Sequence, residues 1–185
     1  MNAQVLDALK KEMDQTIDGM RKELAKMRTG RASTALIEGI MVEYYGSRTP
    51  LNQVAALSVP ESRLLVIQPY DRSVMQAVEK AILQSDLGLT PINDGKVIRV
   101  PIPELTEERR KELVRHVRKV AEEYRVSVRN HRRDANERLK KMQKEKQIPE
   151  DEARSTQDRV QKLTDEAIEK LDKLLKLKED ELMAV

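Results

Sequence analysis

Arg118, Arg125, Arg129 and Arg132 are spaced so that, at 100° per residue, they fall within about 60° of one another on a helix. A guanidinium offers a phosphate two parallel donors and sheds water more readily than an ammonium, so a face built of arginine suits docking on a phosphate backbone. The same face also suits solvated pairing with Asp or Glu of neighbouring helices. For Arg129 and Arg132 both readings stay open at this level. Other chemistry is scarce. His116 and His131 sit on the same run, more than about 20 Å apart along it, too far for a shared metal or a relay. No glycine loop could cradle a phosphate, and acidic pairs such as Glu122-Glu123 and Glu150-Asp151 read as solvated helix surface. With no cysteine, disulfides, thiolate zinc sites and thiol nucleophiles are excluded. The expectation is a protein without catalytic residues, metal or cofactor of its own.

The arginines need a long, straight support, and the run Thr106 to Lys146 supplies one. Leu113, Val117, Val120, Tyr124, Val128, Ala135, Leu139 and Met142 recur at steps of three and four, with His131 filling the gap, which predicts one apolar helix face. His131 is expected to be packed and hydrogen-bonded there. Thr106 should cap the start, with Glu107 and Glu108 at the positive end of the helix. Residues 2–28 carry a second such stripe, Val5, Leu9, Met13, Ile17, Met20, Leu24 and Met27, flawed by Gly19 and ended at Arg28-Thr29-Gly30. A third follows Pro149, taken as the first helical position, with Ala153, Val160, Leu163, Ala167, Leu171, Leu174 and Leu182 inward. None of the three can bury its stripe alone, so they should pack as an antiparallel three-helix bundle about 40–60 Å long.

Between the first helix and the second the chain changes character. Residues 30–104 hold five of the six glycines and six of the seven prolines, which predicts short strands rather than long helices. Strands are expected at Ile40–Tyr45, Val54–Val59, Leu64–Gln68 and Val97–Val100, with turns at Gly46, Pro60, Pro69 and Asn93-Asp94-Gly95. A helix over Ser73–Asp86 should turn Val74, Val78, Ala81 and Ile82 inward behind a Ser73/Gln76 capping box. The predicted fold class is therefore α+β with two domains: residues 1–29 and 105–185 form the bundle, and 30–104 form a small inserted α+β domain. Two crossings tether it, Thr29, Gly30 and Arg31 on one side and Pro101, Ile102, Pro103, Glu104 and Leu105 on the other. Gly on one and prolines on the other predict a two-stranded hinge.

Charge is unevenly spread along the chain. Residues 106–149 carry 15 Lys/Arg against 8 Asp/Glu, and 150–185 carry 7 against 11, so the basic excess lies in the second helix, as expected of a polyanion-binding surface. Four scattered tyrosines among 2% aromatic residues are too few for a base-stacking platform, which points to folded RNA read by shape and phosphate. The first ten residues lack a basic region leading into an apolar block, and no apolar run approaches membrane-spanning length. The reading is a cytoplasmic protein with no membrane or DNA partner.

Several blocks resemble bacterial ribosome recycling factor: Lys26-Met27-Arg28-Thr29-Gly30-Arg31-Ala32-Ser33, Val42-Glu43-Tyr44-Tyr45-Gly46, Asp86-Leu87-Gly88-Leu89, Arg99-Val100-Pro101-Ile102-Pro103, Leu105-Thr106-Glu107-Glu108-Arg109-Arg110-Lys111, Arg129-Asn130-His131-Arg132-Arg133-Asp134-Ala135-Asn136 and Asp158–Asp165. The resemblance runs from about residue 3 to residue 183. It implies an L-shaped monomer that binds the 70S ribosome after termination and, with elongation factor G and GTP used by that factor, splits the subunits and releases mRNA. It implies docking on large-subunit ribosomal RNA near the peptidyl-transferase centre, with Arg132 most important and Arg28 and Arg129 also facing RNA. The full candidate RNA-binding set is then Arg132, Arg129, Arg28, Arg125, Arg118, Arg133 and Arg31. Two positions depart from the family pattern. His131 stands where an aliphatic residue is usual, and Pro149 where a capping Ser is common. The competing readings are a helical scaffold or chaperone-type protein-binding factor, which would need an exposed apolar patch, and a general single-strand RNA binder, which would need aromatics.

Overall fold

The computed structural model describes residues 1–184. Val185, the last residue of the expected bundle, lies outside them. The chain gathers into two compact units, Met1–Leu24 with the residues from Lys111 onward, and Ala25–Arg110.

Three helices build the first unit, α1 (Asn2–Ala25) up to Leu24, α4 (Glu107–Lys144) from Lys111 onward, and α5 (Glu150–Met183). The pairs that join them fix their directions. Glu23 meets Tyr124 and Thr16 meets His131, so α1 runs against α4; Arg118 meets Glu179 and Arg125 meets Asp172, so α5 runs against α4 as well. The spacing rule places the α1 stripe correctly through Leu24, but the helix ends at Ala25, and Met27 lies in the following irregular segment.

The α5 stripe is more complete than its aliphatic residues suggested. Thr156, Thr164 and Lys178 are buried alongside Ala153, Val160, Ala167, Leu171 and Leu182, whereas Leu163 and Leu174 are only half-buried. Both threonine hydroxyls donate to the carbonyl four residues back, Thr156 to Glu152 and Thr164 to Val160, each at 2.8 Å. With the polar atom satisfied inside the helix, the methyl is free to pack as an apolar group. Pro149 is the residue flanking the helix rather than its first turn, and no side chain caps α5 there. Three acids in the first turn, Glu150, Asp151 and Glu152, supply charge to that end instead.

Ala25–Arg110 folds around a four-stranded antiparallel sheet and a separate hairpin. The hairpin pairs β1 (Met41–Tyr44) with β2 (Ser47–Pro50) across Tyr45 and Gly46, both at positive φ (47° and 83°). A two-residue turn with both residues left-handed matches the twist of the flanking strands. A short helix, α2 (Leu51–Val54), leads into β3 (Ala55–Glu61), which pairs with β4 (Leu64–Pro69). After α3 (Met75–Gln84), β5 (Ile92–Asn93) and β6 (Ile98–Pro101) complete the sheet in the order β3-β4-β6-β5. Leu65 and Ile67 of β4 and Ile98 and Val100 of β6 alternate inward and are buried with Val78 and Ile82 of α3.

Several local expectations need correcting. Pro60 does not end a strand. It lies within β3, an outer strand, at a register shift between Ser58 and Glu61, where a missing N–H breaks no central ladder. The turn falls instead at Ser62-Arg63. The Ser73/Gln76 capping box is absent. The Asp71 side chain accepts from Ser73 N at 2.9 Å, starting a 3-10 turn over Arg72–Val74 before α3 begins. Sequence patterning does not mark β2 or β5, because Ser47-Arg48-Thr49-Pro50 is polar and Ile92–Asn93 is two residues long.

Candidate nucleic-acid interface

α4 is the platform for the basic surface, and its start follows from sequence. Thr106 Oγ1 accepts from Arg109 N at 3.2 Å, and Glu107 and Glu108 occupy the first turn. Its end was not legible. Lys146 adopts a positive φ of 59°, its N–H donating to the Gln143 carbonyl at 3.0 Å and that of Gln147 to the Met142 carbonyl at 2.9 Å. This is the terminating pattern that glycine usually serves. Buried Ile148 follows.

Along the apolar side, Leu113, Val117, Val120, Val128, Ala135 and Leu139 are buried, joined by Ala121. Tyr124 and Met142 are half-buried. The Tyr124 hydroxyl donates to Glu23 at 2.5 Å, and that bond to a carboxylate pushes its pKa up to about 12. His131 is packed and hydrogen-bonded, as expected. The Thr16 hydroxyl donates to the Glu12 carbonyl at 2.9 Å, which leaves its oxygen to accept from His131 Nε2 at 3.1 Å; Nδ1 faces the Glu12 carboxylate at 3.3 Å.

The four face arginines are not alike. Arg118 Nε donates to Glu179 at 2.6 Å. Arg125 donates to Asp172 through Nε at 2.9 Å and Nη2 at 2.6 Å, and to Glu122 at 3.1 Å. Arg129 donates to the other oxygen of Glu122 at 3.0 Å. These bonds hold the Glu122 carboxyl below its ordinary range and raise the guanidinium pKa of Arg118 and Arg125. Arg132 differs. Among the described residues its side chain donates only to the amide oxygen of Gln161, at 3.5 Å, and no carboxylate there pairs with it. Pairing with a carboxylate therefore occurs for Arg129, within its own helix, and not for Arg132 among the described residues. Arg133 and Arg31 are exposed, with no ion pair among the described residues.

Arg28 belongs to the crossings rather than to the α4 surface. Its Nη2 reaches the Pro103 carbonyl at 3.4 Å, and its Nε is enclosed without a hydrogen-bond partner among the described residues. Gly30 takes a φ of 81°, a conformation that only glycine adopts here without strain. Both crossings are laced to the β3/β4 turn. Ala32 N donates to the Ser62 carbonyl at 2.7 Å, Ile102 N donates to the Arg63 carbonyl at 2.8 Å, and the Arg63 guanidinium meets Glu104 at 2.7 Å. Sequence reading missed Ser62 and Arg63, because a surface turn gives no sign of what it holds.

The fold and this surface define a two-unit α+β protein whose three-helix bundle presents an arginine-lined face. Among the described residues no helix is long and apolar enough to cross a membrane. The family model for ribosome recycling factor matches residues 20–183. Similar relatives include the ribosome-recycling factors of Shouchella clausii (strain KSM-K16), 60% identical over 144 residues, and Moorella thermoacetica, 57% identical over 144 residues; each alignment covers 78% of both chains. Among solved structures, the solution structure of a ribosome recycling factor superposes with a TM-score of 0.81 at 46% identity, covering 100% of this chain and 98% of the other. The T. thermophilus ribosome recycling factor, described with E. coli elongation factor G bound to the E. coli post-termination complex, gives a TM-score of 0.69 at 45% identity and full coverage of both chains. The chain belongs to the ribosome recycling factor family and is a translation factor that acts in ribosome recycling.

Proposed function

We propose that this protein docks its bundle on large-subunit ribosomal RNA of the post-termination 70S ribosome through the α4 arginine face. With elongation factor G, and GTP hydrolysed by that factor, it then splits the subunits and releases mRNA. Family membership supports the recycling role, and the T. thermophilus relative described together with elongation factor G on the post-termination complex supports the partners. The observation that carries the docking mode is Arg132, a guanidinium with no carboxylate partner among the described residues, on a face whose other arginines have one.

The protein itself supplies no catalytic group or cofactor; it acts in the cytoplasm as a monomer, and the energy comes from the GTPase. The helical scaffold reading loses ground to family membership. Arg28, Arg31 and Arg133 extend the RNA-facing set. Thr29–Arg31 and Pro101–Leu105 serve as the hinge about which elongation factor G moves the α+β domain. Ile102 is buried and Glu104 is tied to Arg63, which limits how much of the turning residues 101–104 can take up.

Light scattering of post-termination ribosomes with elongation factor G and GTP tests this. Rapid splitting that requires all three components is expected, and Arg132→Ala should abolish it. No splitting with a matched elongation factor G would refute the proposal.

A further inference from the structure

The carboxylates on the arginine face carry information of their own. Glu122 lies on α4 among the arginines, and Asp172 and Glu179 reach the face from α5. The side chains of Glu122 and Asp172 are about half exposed, at 53% and 50%, so they stand where an incoming phosphate would approach. Arg125, only 21% exposed, lies between them and donates to both. A carboxylate in this position presents to the guanidinium what a phosphate would present. Exposed pairs of this kind are worth at most about 1 kcal/mol, so they do not lock the arginines away. Docking leaves the negative charges in place beside the RNA backbone, and like-charge contacts reject partners that lack a compensating arrangement.

We propose that Glu122 and Asp172 are specificity-determining residues, two acidic guards that hold the arginines in docking geometry and repel phosphate backbones unable to engage Arg132. The inference rests on the RNA-docking reading above. It divides the face into two functions. Arg132 supplies net attraction, and the paired arginines supply shape, with their charge already cancelled. Such a surface binds the ribosome reversibly and discriminates against the RNA that surrounds it in the cell.

The test uses the full-length protein with Asp172→Asn, Glu122→Gln and the double variant. Asp172→Asn keeps an oxygen that can accept from Arg125, and Glu122→Gln keeps one of the two oxygens that accept from Arg125 and Arg129, so part of the clamp survives while its charge is removed. Affinity is measured for purified 70S ribosomes and for a short RNA duplex of unrelated sequence across a salt series. Asp18→Asn serves as the matched control, because Asp18 is also half exposed and pairs with Lys22 at 3.0 Å, but on α1. The double variant should bind the unrelated duplex about tenfold more tightly and ribosomes about threefold more tightly, with the salt slope for the duplex steeper by about one to two. Unchanged or weaker duplex binding would overturn the inference, as would an equal gain from Asp18→Asn. If Arg132→Ala weakens ribosome binding while the guard variants change nothing, the inference alone fails. If Arg132→Ala leaves ribosome binding intact, the docking reading fails with it.

Discussion

Arg132 differs from its three neighbours in its partner, not in its type, and of those partners only Glu122, three residues before Arg125 on the same helix, stands at a spacing legible in sequence. Angular spacing puts four arginines on one face, but the carboxylates that neutralise three of them come from Glu122 on the same helix and from α5, whose register against α4 depends on packing. Single residues elsewhere give cleaner tests. An added Cβ at Gly19 would meet the Tyr124 ring at 3.5 Å, ordinary contact. Gly19→Ala should therefore raise stability by about 1 kcal/mol and the melting temperature by about 2–4 °C in a calorimetric scan. Asp94 accepts from the backbone N–H groups of Val97 and Lys96, each at 2.9 Å, and pairs with Arg99; these bonds lower its pKa to about 2. A carboxyl depressed on folding contributes stability above its unfolded pKa and loses it as pH falls through the folded value. Acid unfolding of the wild type should thus include a component lost between about pH 4 and pH 2 that Asp94→Asn lacks. An NMR titration in which the Asp94 carboxyl follows ordinary aspartates would contradict this.

The helices were legible because each must bury a stripe, and steps of three and four leave little freedom. Leu9, Met20, Val117, Val128, Leu139, Val160 and Leu171 lie where periodicity places them. The misses share a cause: a backbone or hydrogen-bond solution that aliphatic patterning does not record. Thr156 and Thr164 enter the core by bonding within α5, and Asp71 rather than Ser73 begins the turn before α3. The end of α4 rests on Lys146 in a conformation suited to glycine. Lys146→Gly should relieve that strain and stabilise the bundle by about 0.5–1 kcal/mol, read as a higher denaturant midpoint with an unchanged slope. The β3/β4 turn matters more than its sequence suggests, since Ser62 and Arg63 between them bond Ala32, Ile102 and Glu104. Arg63→Ala should leave the sheet folded and speed amide exchange in residues 102–105; unaltered exchange there would show the lacing to be incidental.

Taken as one molecule, the protein joins two structures with different duties. The proposed lever needs the bundle to stay on RNA while the α+β unit moves, so a disulfide engineered between the two units should preserve ribosome binding and abolish splitting, with activity returning on reduction. Full splitting by the locked form would remove the hinge from the mechanism. Internal pairing also revises the charge available for docking. Neutralising four phosphates would give a salt slope of roughly −3 to −4, and because three arginines of the face keep carboxylate partners, that slope should come mostly from Arg132 together with Arg28, Arg31 and Arg133. The most direct measurement is the affinity for 70S ribosomes of Arg132→Ala beside Arg118→Ala. A lost charge-assisted contact costs about 1.5–3 kcal/mol, so Arg132→Ala should weaken binding at least tenfold, while Arg118→Ala, whose charge Glu179 already offsets, should stay within about threefold of wild type. Equal losses from the two substitutions, or none from Arg132→Ala, would contradict the account.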